Sequence, residues 1–204
     1  DNITPYQFTQ LSRTSEKDQL YCKDRDVQDF EFNTDVVDRF PNMIGRSVPG
    51  YWDLIDWMGI LSQNWLDKDA IYDLGTSLGA VAWSIYTKQY KENTKSPPIY
   101  AIDSSLAMIK RFNSNLNALS HDTPIETIHA DIRETQLLQS SLVCLNFTLQ
   151  FIPIEDRMTV LTKIRKALTP SGALILSEKI TGSNPSEESR IRHWHHQFKH
   201  SQGY

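Results

Sequence analysis

The sequence has little cysteine and no long apolar run, and each shortage closes off a class of protein. Its two cysteines sit in unlike surroundings, Cys22 in a charged stretch and Cys144 in a strand-like apolar run. No disulfide is expected from them, and a reducing cytoplasm is the expected setting. Nothing approaches the roughly 18 apolar residues of a membrane-spanning helix. The first residues are polar, so no signal peptide is read there. Excess charge is also small: 21 Lys and Arg against 25 Asp and Glu leave a net charge of −4. Binding driven by phosphate charge needs a basic surface, so direct nucleic-acid recognition is not expected.

What is present fits one globular domain. The chain has 204 residues, 39% of them hydrophobic and 23% charged, enough for a sizeable core. Residues 1–39 are polar, with both charge signs mixed from Arg13 to Asp29. They read as a flexible charged arm, pinned locally by Phe30-Glu31-Phe32, and residues 40–204 as the domain.

The stretch Ile71-Tyr72-Asp73-Leu74-Gly75-Thr76-Ser77-Leu78-Gly79-Ala80 organises the rest. It reads as a buried strand, a glycine turn and the start of a helix. Glycines there permit positive φ and close backbone approach, and the helix start presents N–H groups to a nucleoside-type cofactor. Glycines that merely close a tight strand-to-helix connection look the same. A second apolar run, Ile99-Tyr100-Ala101-Ile102, ends in Asp103, where a nucleotide-binding α/β fold places its ribose acceptor. The spacing from Gly75 exceeds the usual one, and the loop from Asn93 to Pro98 absorbs the excess.

Between Phe40 and Tyr51, two prolines and two glycines argue against a long regular element. The segment reads as an ordered loop, either a cofactor cover or a plain wrap on the domain. A helix is expected over 53–66, capped by Asp53, with Leu54, Ile55, Met58, Leu61 and Trp65 facing the core. Further helices are expected over 81–90, 105–119 and 155–168, and strands over 125–129, 141–145 and 173–176. Thr169-Pro170-Ser171-Gly172 reads as a turn, and the last helix starts at Pro185-Ser186 and runs towards Lys199. Strands alternating with helices give parallel βαβ units. Ligands in such sheets sit at the carboxyl ends of the strands, here the Gly75–Ser77 turn, Asp103, Asp131 and Asn146. Asp131 and Asn146 taken singly also suit plain turns. His196 and His200, four apart, have a zinc-like spacing, but nothing completes a ligand set; no metal is expected.

Several motifs together carry a resemblance. The Asp-Leu-Gly-x-Ser-x-Gly-Ala turn, the acidic end of strand two, Asp131-Ile132 after strand three and the Pro-x-Gly turn before strand five resemble the class I S-adenosylmethionine-dependent methyltransferase fold. This implies an α/β, Rossmann-like domain: a central, mostly parallel sheet with helices on both faces. Longer words are more specific. Arg46-Ser47-Val48-Pro49-Gly50-Tyr51, Asn146-Phe147-Thr148-Leu149-Gln150-Phe151, Leu176-Ser177-Glu178-Lys179, and His195-His196 with Phe198-Lys199 and Gly203-Tyr204 resemble the carboxy-S-adenosylmethionine synthase family over about residues 30–204.

The resemblance implies an enzyme that takes S-adenosyl-L-methionine and prephenate to carboxy-S-adenosyl-L-methionine, phenylpyruvate and water. The sulfonium acidifies its methyl protons, so that an ylide can capture carbon dioxide released from prephenate. The product implied is the donor for a separate tRNA carboxymethyltransferase acting on 5-hydroxyuridine at the wobble position. A homodimer is implied, with no membrane partner. Carried over by position, the cofactor contacts are Tyr51, Gly75, Thr76, Ser77, Asp103, Ser104, Asp131, Ile132 and Asn146. Asp103 would take the ribose, Asp131-Ile132 the adenine, and turn N–H groups the methionine part. No catalytic residue is assigned.

Two positions depart from the family: Thr76 stands where Cys is usual, and Ser104, with a shorter reach, where Asn is usual. The family also continues past Gly-Tyr with an Arg for the added carboxylate and with the closing strands of the sheet. The chain is therefore expected to be a fragment lacking those strands; Arg46 is the one Arg expected near the pocket. Two other readings stand beside the synthase: an ordinary methyltransferase acting on a small molecule or RNA, and a non-catalytic cofactor-binding or scaffold protein.

Overall fold

The computed structural model describes residues 3–12, 34–65, 69–89 and 97–204. The elements in chain order are α1 (Pro5–Phe8), α2 (Thr34–Ser47), α3 (Tyr51–Ser62), β1 (Ala70–Leu74), α4 (Ala80–Gln89), β2 (Ile99–Asp103), α5 (Leu106–Asn117), β3 (Ile125–His129), β4 (Ser140–Asn146), a 3-10 turn (Leu149–Phe151), α6 (Ile154–Ala167), β5 (Leu168–Ser177) and α7 (Pro185–Ser201).

The five strands form one sheet in the order β3-β2-β1-β4-β5, every pair parallel. The order reverses beside β1, which leaves a crevice at the strands' carboxyl ends, between β1 and β4. Register brings those ends level: Leu74 pairs with Ile102 and Leu145, Asp103 with His129, and Asn146 with Ser177.

Alternation along the central strands splits the core in two. Ile71, Leu142 and Cys144 face one side, packed with Ile55, Met58, Val81, Ile85 and Phe112 from α3, α4 and α5. Tyr72, Leu74, Val143 and Leu145 face the other, against Val160 and Ile164 of α6. Strands covered on both faces read as nearly continuous apolar runs, and β1 and β4 do so. Cys144 is a buried free thiol, pushed up in pKa by burial first and by nearby Asp73 second. Cys22 lies outside the described residues.

Several expectations need correction. The ends of the supposed arm are packed rather than loose: Phe8 is buried and stacks on Trp83 at 4.4 Å, and Trp83 Nε1 donates to Ile3 O at 2.8 Å. Residues 34–39 already belong to α2. The rest of that stretch, including Phe30-Glu31-Phe32, lies outside the described residues, as do Asn93 and its neighbours through 96.

The expected loop at 40–51 is mostly helix, α2 running through both Pro41 and Gly45. Buried Val36, Val37 and Met43, with Phe40 and Ile44, give α2 an apolar stripe that outweighs the hydrogen bond lost at the proline. Gly45 is there for space: a Cβ would lie 2.5 Å from Trp52 Nε1. Helix α3 starts at Tyr51 after Gly50, whose φ is +67°, so Asp53 sits in the first turn instead of capping it. Of its expected stripe Ile55 and Met58 are buried, Leu61 is exposed, and Trp65 lies beyond the helix, donating Nε1 to Ser171 O at 3.0 Å. The Thr169–Gly172 turn is an irregularity within β5, where register jumps from Leu168 to Ala173 against Ser140 and Leu142. Asn184, not Ser186, caps α7, accepting from Glu187 N at 3.0 Å.

Among the described residues, no helix is long and apolar enough to cross a membrane.

Candidate functional site

The glycine turn has φ of +76° at Gly75 and +81° at Gly79. Both conformations suit glycine, and both positions are crowded: a Cβ at Gly75 would run into Thr148, and one at Gly79 into the ring of Phe112. The turn therefore approaches the segment after β4 closely. Its N–H groups, expected to point at a ligand, are engaged inside the fold. Gly75 N and Thr76 N donate to Ile102 O at 2.8 and 3.0 Å, Ser77 N to Asp103 Oδ2 at 2.8 Å, and Gly79 N to Thr76 O at 2.9 Å. An unpaired buried N–H is costly, so a turn this enclosed satisfies its own donors.

Thr76 is turned away as well. It is buried, and its hydroxyl donates to Asp73 Oδ2 at 2.6 Å. The same oxygen accepts from Ala82 N at 3.1 Å, in the first turn of α4. Asp73 is thus the pin beneath the turn. Burial pushes its pKa up to about 6, against the lowering effect of these two hydrogen bonds, and the Asp103 charge raises it further.

Asp103 closes β2. Its Oδ2 accepts from Ser77 N and its Oδ1 from Ser105 N, each at 2.8 Å. A carboxylate offers about four acceptor sites, so about two remain for a ligand. Burial raises its pKa; the two backbone donors and nearby His129 oppose that. His129 Nε2 lies 3.0 Å from Ser104 O, and a carbonyl only accepts, so this nitrogen carries the hydrogen.

The Asp131–Arg133 turn is built differently from expectation. Arg133 wraps the Asp131 carboxylate with its backbone N at 2.8 Å, Nε at 3.0–3.1 Å to both oxygens, and Nη2 at 2.6 Å. Its Nη1 reaches Asp156 at 3.1 Å. The side-chain bond to Arg133 holds Asp131 below the usual carboxylate range. Lys163 Nζ donates to the carbonyls of Ile132 and Arg133 from α6. The Asp131 carboxylate is therefore engaged by Arg133, and Asp131, Ile132 and Arg133 all line the cavity.

Asn146, at the end of β4, contributes a buried Oδ1 with no hydrogen-bond partner. The fold itself supplies no donor for this atom. Phe147 follows with φ of +52°, which Ser77 shares; among the described residues, both non-glycine residues in this strained region lie at the cavity. Phe147 packs over Tyr51, rings 6.2 Å apart at 26°. Burial raises the Tyr51 hydroxyl pKa, and the Asp73 charge adds to the effect.

These elements enclose one cavity of about 1030 Å³. Tyr51, Gly75, Ser77, Asp103, Ser104, Asp131, Ile132 and Asn146 line it; of the expected site residues only Thr76 does not. Phe40 and Met43 of α2, in the segment read as a cover or a wrap, also line it; sequence reasoning missed Met108 of α5, Arg133, Lys179 after β5, and Trp194 and His195 of α7.

Arg46 does not line the cavity. Its Nε donates to Gln202 O at 2.8 Å and its Nη2 to Gly203 O at 3.1 Å, with the guanidinium 4.2 Å over the Tyr204 ring. His196 and His200 are exposed on α7, and no group of three potential metal ligands occurs among the described residues.

A family model described as a methyltransferase domain matches residues 71–172. The chain is 44% identical over 179 residues to a carboxy-S-adenosyl-L-methionine synthase of Vibrio atlanticus, covering 87% of this chain and 73% of that one. It is 40% identical over 189 residues to a protein of the same name from Pseudoalteromonas translucida, covering 92% and 77%. Among solved structures it resembles the SAM-bound amino pentose methyltransferase CalS10 from Micromonospora echinaspora, with a TM-score of 0.54, 16% identity, and coverage of 79% of this chain and 61% of that one. A putative methyltransferase from Bacillus halodurans gives 0.53, 14%, 68% and 56%. At such identities the structural likeness establishes the fold, which is that of class I methyltransferases.

Proposed function

The chain belongs to the carboxy-S-adenosyl-L-methionine synthase family, and from that premise we propose that it converts S-adenosyl-L-methionine and prephenate to carboxy-S-adenosyl-L-methionine, phenylpyruvate and water. One observation carries the reading beyond the family: Asp103, with acceptor sites left open, and Asn146, with an orphaned Oδ1, both line one cavity at the sheet's switch point. A nucleoside with a charged amino-acid tail brings the hydroxyl and N–H donors that such acceptors need.

In this reading Asp103 takes the ribose hydroxyls, Ile132 packs on the adenine, and Asn146 accepts from the ligand. Tyr51, Gly75, Ser77 and Ser104 complete the contacts. Thr76 acts through Asp73, which fixes the turn, so its difference from the family's usual Cys leaves the cavity lining unchanged. Asp131 acts through Arg133, shaping the turn that carries Ile132. The sulfonium supplies an acidified methyl group and prephenate supplies carbon dioxide; this chain's residues bind, orient and exclude water.

The cavity sits at the upper end of the roughly 300–1,000 Å³ range of ligand sites, enough for two substrates together. The same reading makes the protein a cytoplasmic homodimer whose product passes to a separate tRNA carboxymethyltransferase for wobble 5-hydroxyuridine.

Mass spectrometry of the small molecule that co-purifies with the protein tests this. Carboxy-S-adenosyl-L-methionine supports it. S-adenosyl-L-methionine or S-adenosylhomocysteine alone indicates an ordinary methyltransferase, and no ligand a non-catalytic protein.

A further inference from the structure

Trp52 does not line the cavity, yet it touches three parts of the fold that meet there. Its neighbour Tyr51, buried and lining the cavity, meets it edge to face, rings 5.0 Å apart at 87°. The indole also lies against α2: a Cβ at Gly45 would sit 2.5 Å from Trp52 Nε1 and 3.2 Å from Cδ1. Its third neighbour is Tyr6, whose ring meets it edge to face at 4.9 Å and 72°. Tyr51 in turn stacks on Phe147. Tyr6, Trp52, Tyr51 and Phe147 thus run in series, and the last two line the cavity.

Tyr6 is fastened independently of Trp52. Its short helix α1 has a reciprocal cap: Gln7 N donates to Thr4 Oγ1 at 3.2 Å, and Thr4 N to Gln7 Oε1 at 2.9 Å. Before Tyr6, Ile3 O accepts from Trp83 Nε1. After it, Phe8 stacks on Trp83 and stands edge-on to Phe112 at 5.7 Å. Ser12 donates its N and Oγ to the buried Asn115 Oδ1 at 3.3 and 2.6 Å. These contacts tie the segment to α4 and α5 on either side of Tyr6, and none of residues 3–12 lines the cavity.

The backbone holds Tyr51 only loosely. Helix α3 starts without a side-chain cap, after Gly50, whose φ is +67° and beside which a Cβ would meet nothing within 4 Å. Tyr51 N reaches Val48 O at 3.3 Å, beyond the usual N–H···O distance of about 2.9–3.0 Å. What its ring packs on, Trp52 and Phe147, therefore decides where that ring stands.

We propose that Tyr6 is a positioning residue for the ligand: acting through Trp52, it fixes the Tyr51 ring at the cavity, so that the packed N-terminal segment sets how long a bound nucleoside is retained. The inference rests on the proposed ligand, S-adenosyl-L-methionine, and adds a control that lies outside the cavity.

The test measures S-adenosyl-L-methionine affinity by calorimetry and its release by stopped flow. The full chain is compared with Tyr6→Ala, Tyr6→Leu, Tyr6→Phe, Ser12→Ala, Tyr51→Ala and the Tyr6→Ala/Tyr51→Ala pair, each checked for a single thermal transition. The strength of an aromatic pair predicts release roughly three- to tenfold faster in Tyr6→Ala, with association little changed. Tyr6→Leu fills the site without a ring and should fall between; Tyr6→Phe keeps the ring and should match the unsubstituted chain. Ser12→Ala loosens the same segment at Asn115, so it should lower the melting temperature and leave affinity within about twofold. Once Tyr51→Ala has removed the residue acted upon, Tyr6→Ala should add less than about twofold. Unchanged release in both Tyr6→Ala and Tyr6→Leu, equally fast release in Ser12→Ala, or full addition of the Tyr6 and Tyr51 effects would each overturn the proposal and leave the ligand assignment intact. Failure of the unsubstituted chain to bind S-adenosyl-L-methionine would overturn the ligand assignment and the proposal with it. Tyr6-dependent release without carboxylated product on turnover removes the synthase reading alone.

Discussion

Ser77 donates its backbone N–H to Asp103 Oδ2 at 2.8 Å, tying the glycine turn after β1 to the end of β2. The bond spans 26 residues of sequence and adjacent strands of the sheet. It gives Asp103 two tasks, shaping the turn and presenting its remaining acceptor sites to the cavity. The strained φ of Ser77 is held by this bond.

Asp103→Ala should therefore weaken S-adenosyl-L-methionine roughly 10- to 150-fold, the 1.5–3 kcal/mol of a hydrogen bond to a charged group. Asp103→Asn keeps one carbonyl oxygen and should fall between. Calorimetry showing unchanged affinity in Asp103→Ala would remove Asp103 from the ribose site.

Asp73 predicts a pH dependence of stability. Its folded pKa of about 6 lies above the ordinary carboxylate value of 3.8. Between the two the folded state binds more protons than the unfolded state, so the Asp73 contribution falls as pH rises through that window. It is fully present below about pH 4 and lost above about pH 6. At 1.36 kcal/mol per pKa unit the difference is on the order of 3 kcal/mol. Asp73→Asn cannot ionise and still accepts from Ala82 N. Its melting temperature relative to the unsubstituted protein should rise between pH 4.5 and 6.5 and then level off. A constant difference across that range would mean that Asp73 titrates normally.

Gly75→Ala places a side chain at a φ of +76° and against Thr148. The conformation alone costs roughly 1–2 kcal/mol, and the overlap adds to it. Chemical denaturation should show a loss of about 2 kcal/mol or more. Gly75→Ala with Thr148→Ala should recover the steric part only. Complete recovery would assign the whole effect to Thr148.

Arg46 should act on structure and not on the ligand. Its three contacts with residues 202–204 hold the end of α7 against α2. Arg46→Lys loses the planar fork and should behave like Arg46→Ala. Both should speed hydrogen exchange near the end of α7 by several-fold while leaving S-adenosyl-L-methionine affinity within about twofold. Strong loss of affinity without faster exchange would make Arg46 a ligand contact.

The sequence displayed some parts of this architecture and hid others for physical reasons. The Asp73–Gly79 turn and the Asp103 strand end were legible because each combines an apolar run with a residue type that its backbone position favours. Gly75, Ser77 and Asp103, which line the cavity, were legible for the same reason. The inward turn of the Thr76 side chain was hidden, because a hydroxyl three residues after a buried carboxylate bonds to it, a pairing that strand patterns do not reveal. Helix α2 was hidden by Pro41 and Gly45, whose local cost is outweighed by tertiary packing. The Arg133 clamp on Asp131 and the α7 wall depend on contacts distant in sequence or on rotamers, which motif spacing does not encode.

The most direct measurement of the central claim is mass spectrometry of a reaction containing the protein, prephenate and S-adenosyl-L-methionine with a fully deuterated methyl group. The account predicts carboxy-S-adenosyl-L-methionine that has lost one methyl deuterium, with phenylpyruvate formed in equal amount. Transfer of the intact labelled methyl group to an acceptor, leaving S-adenosylhomocysteine and no carboxylated product, would contradict it.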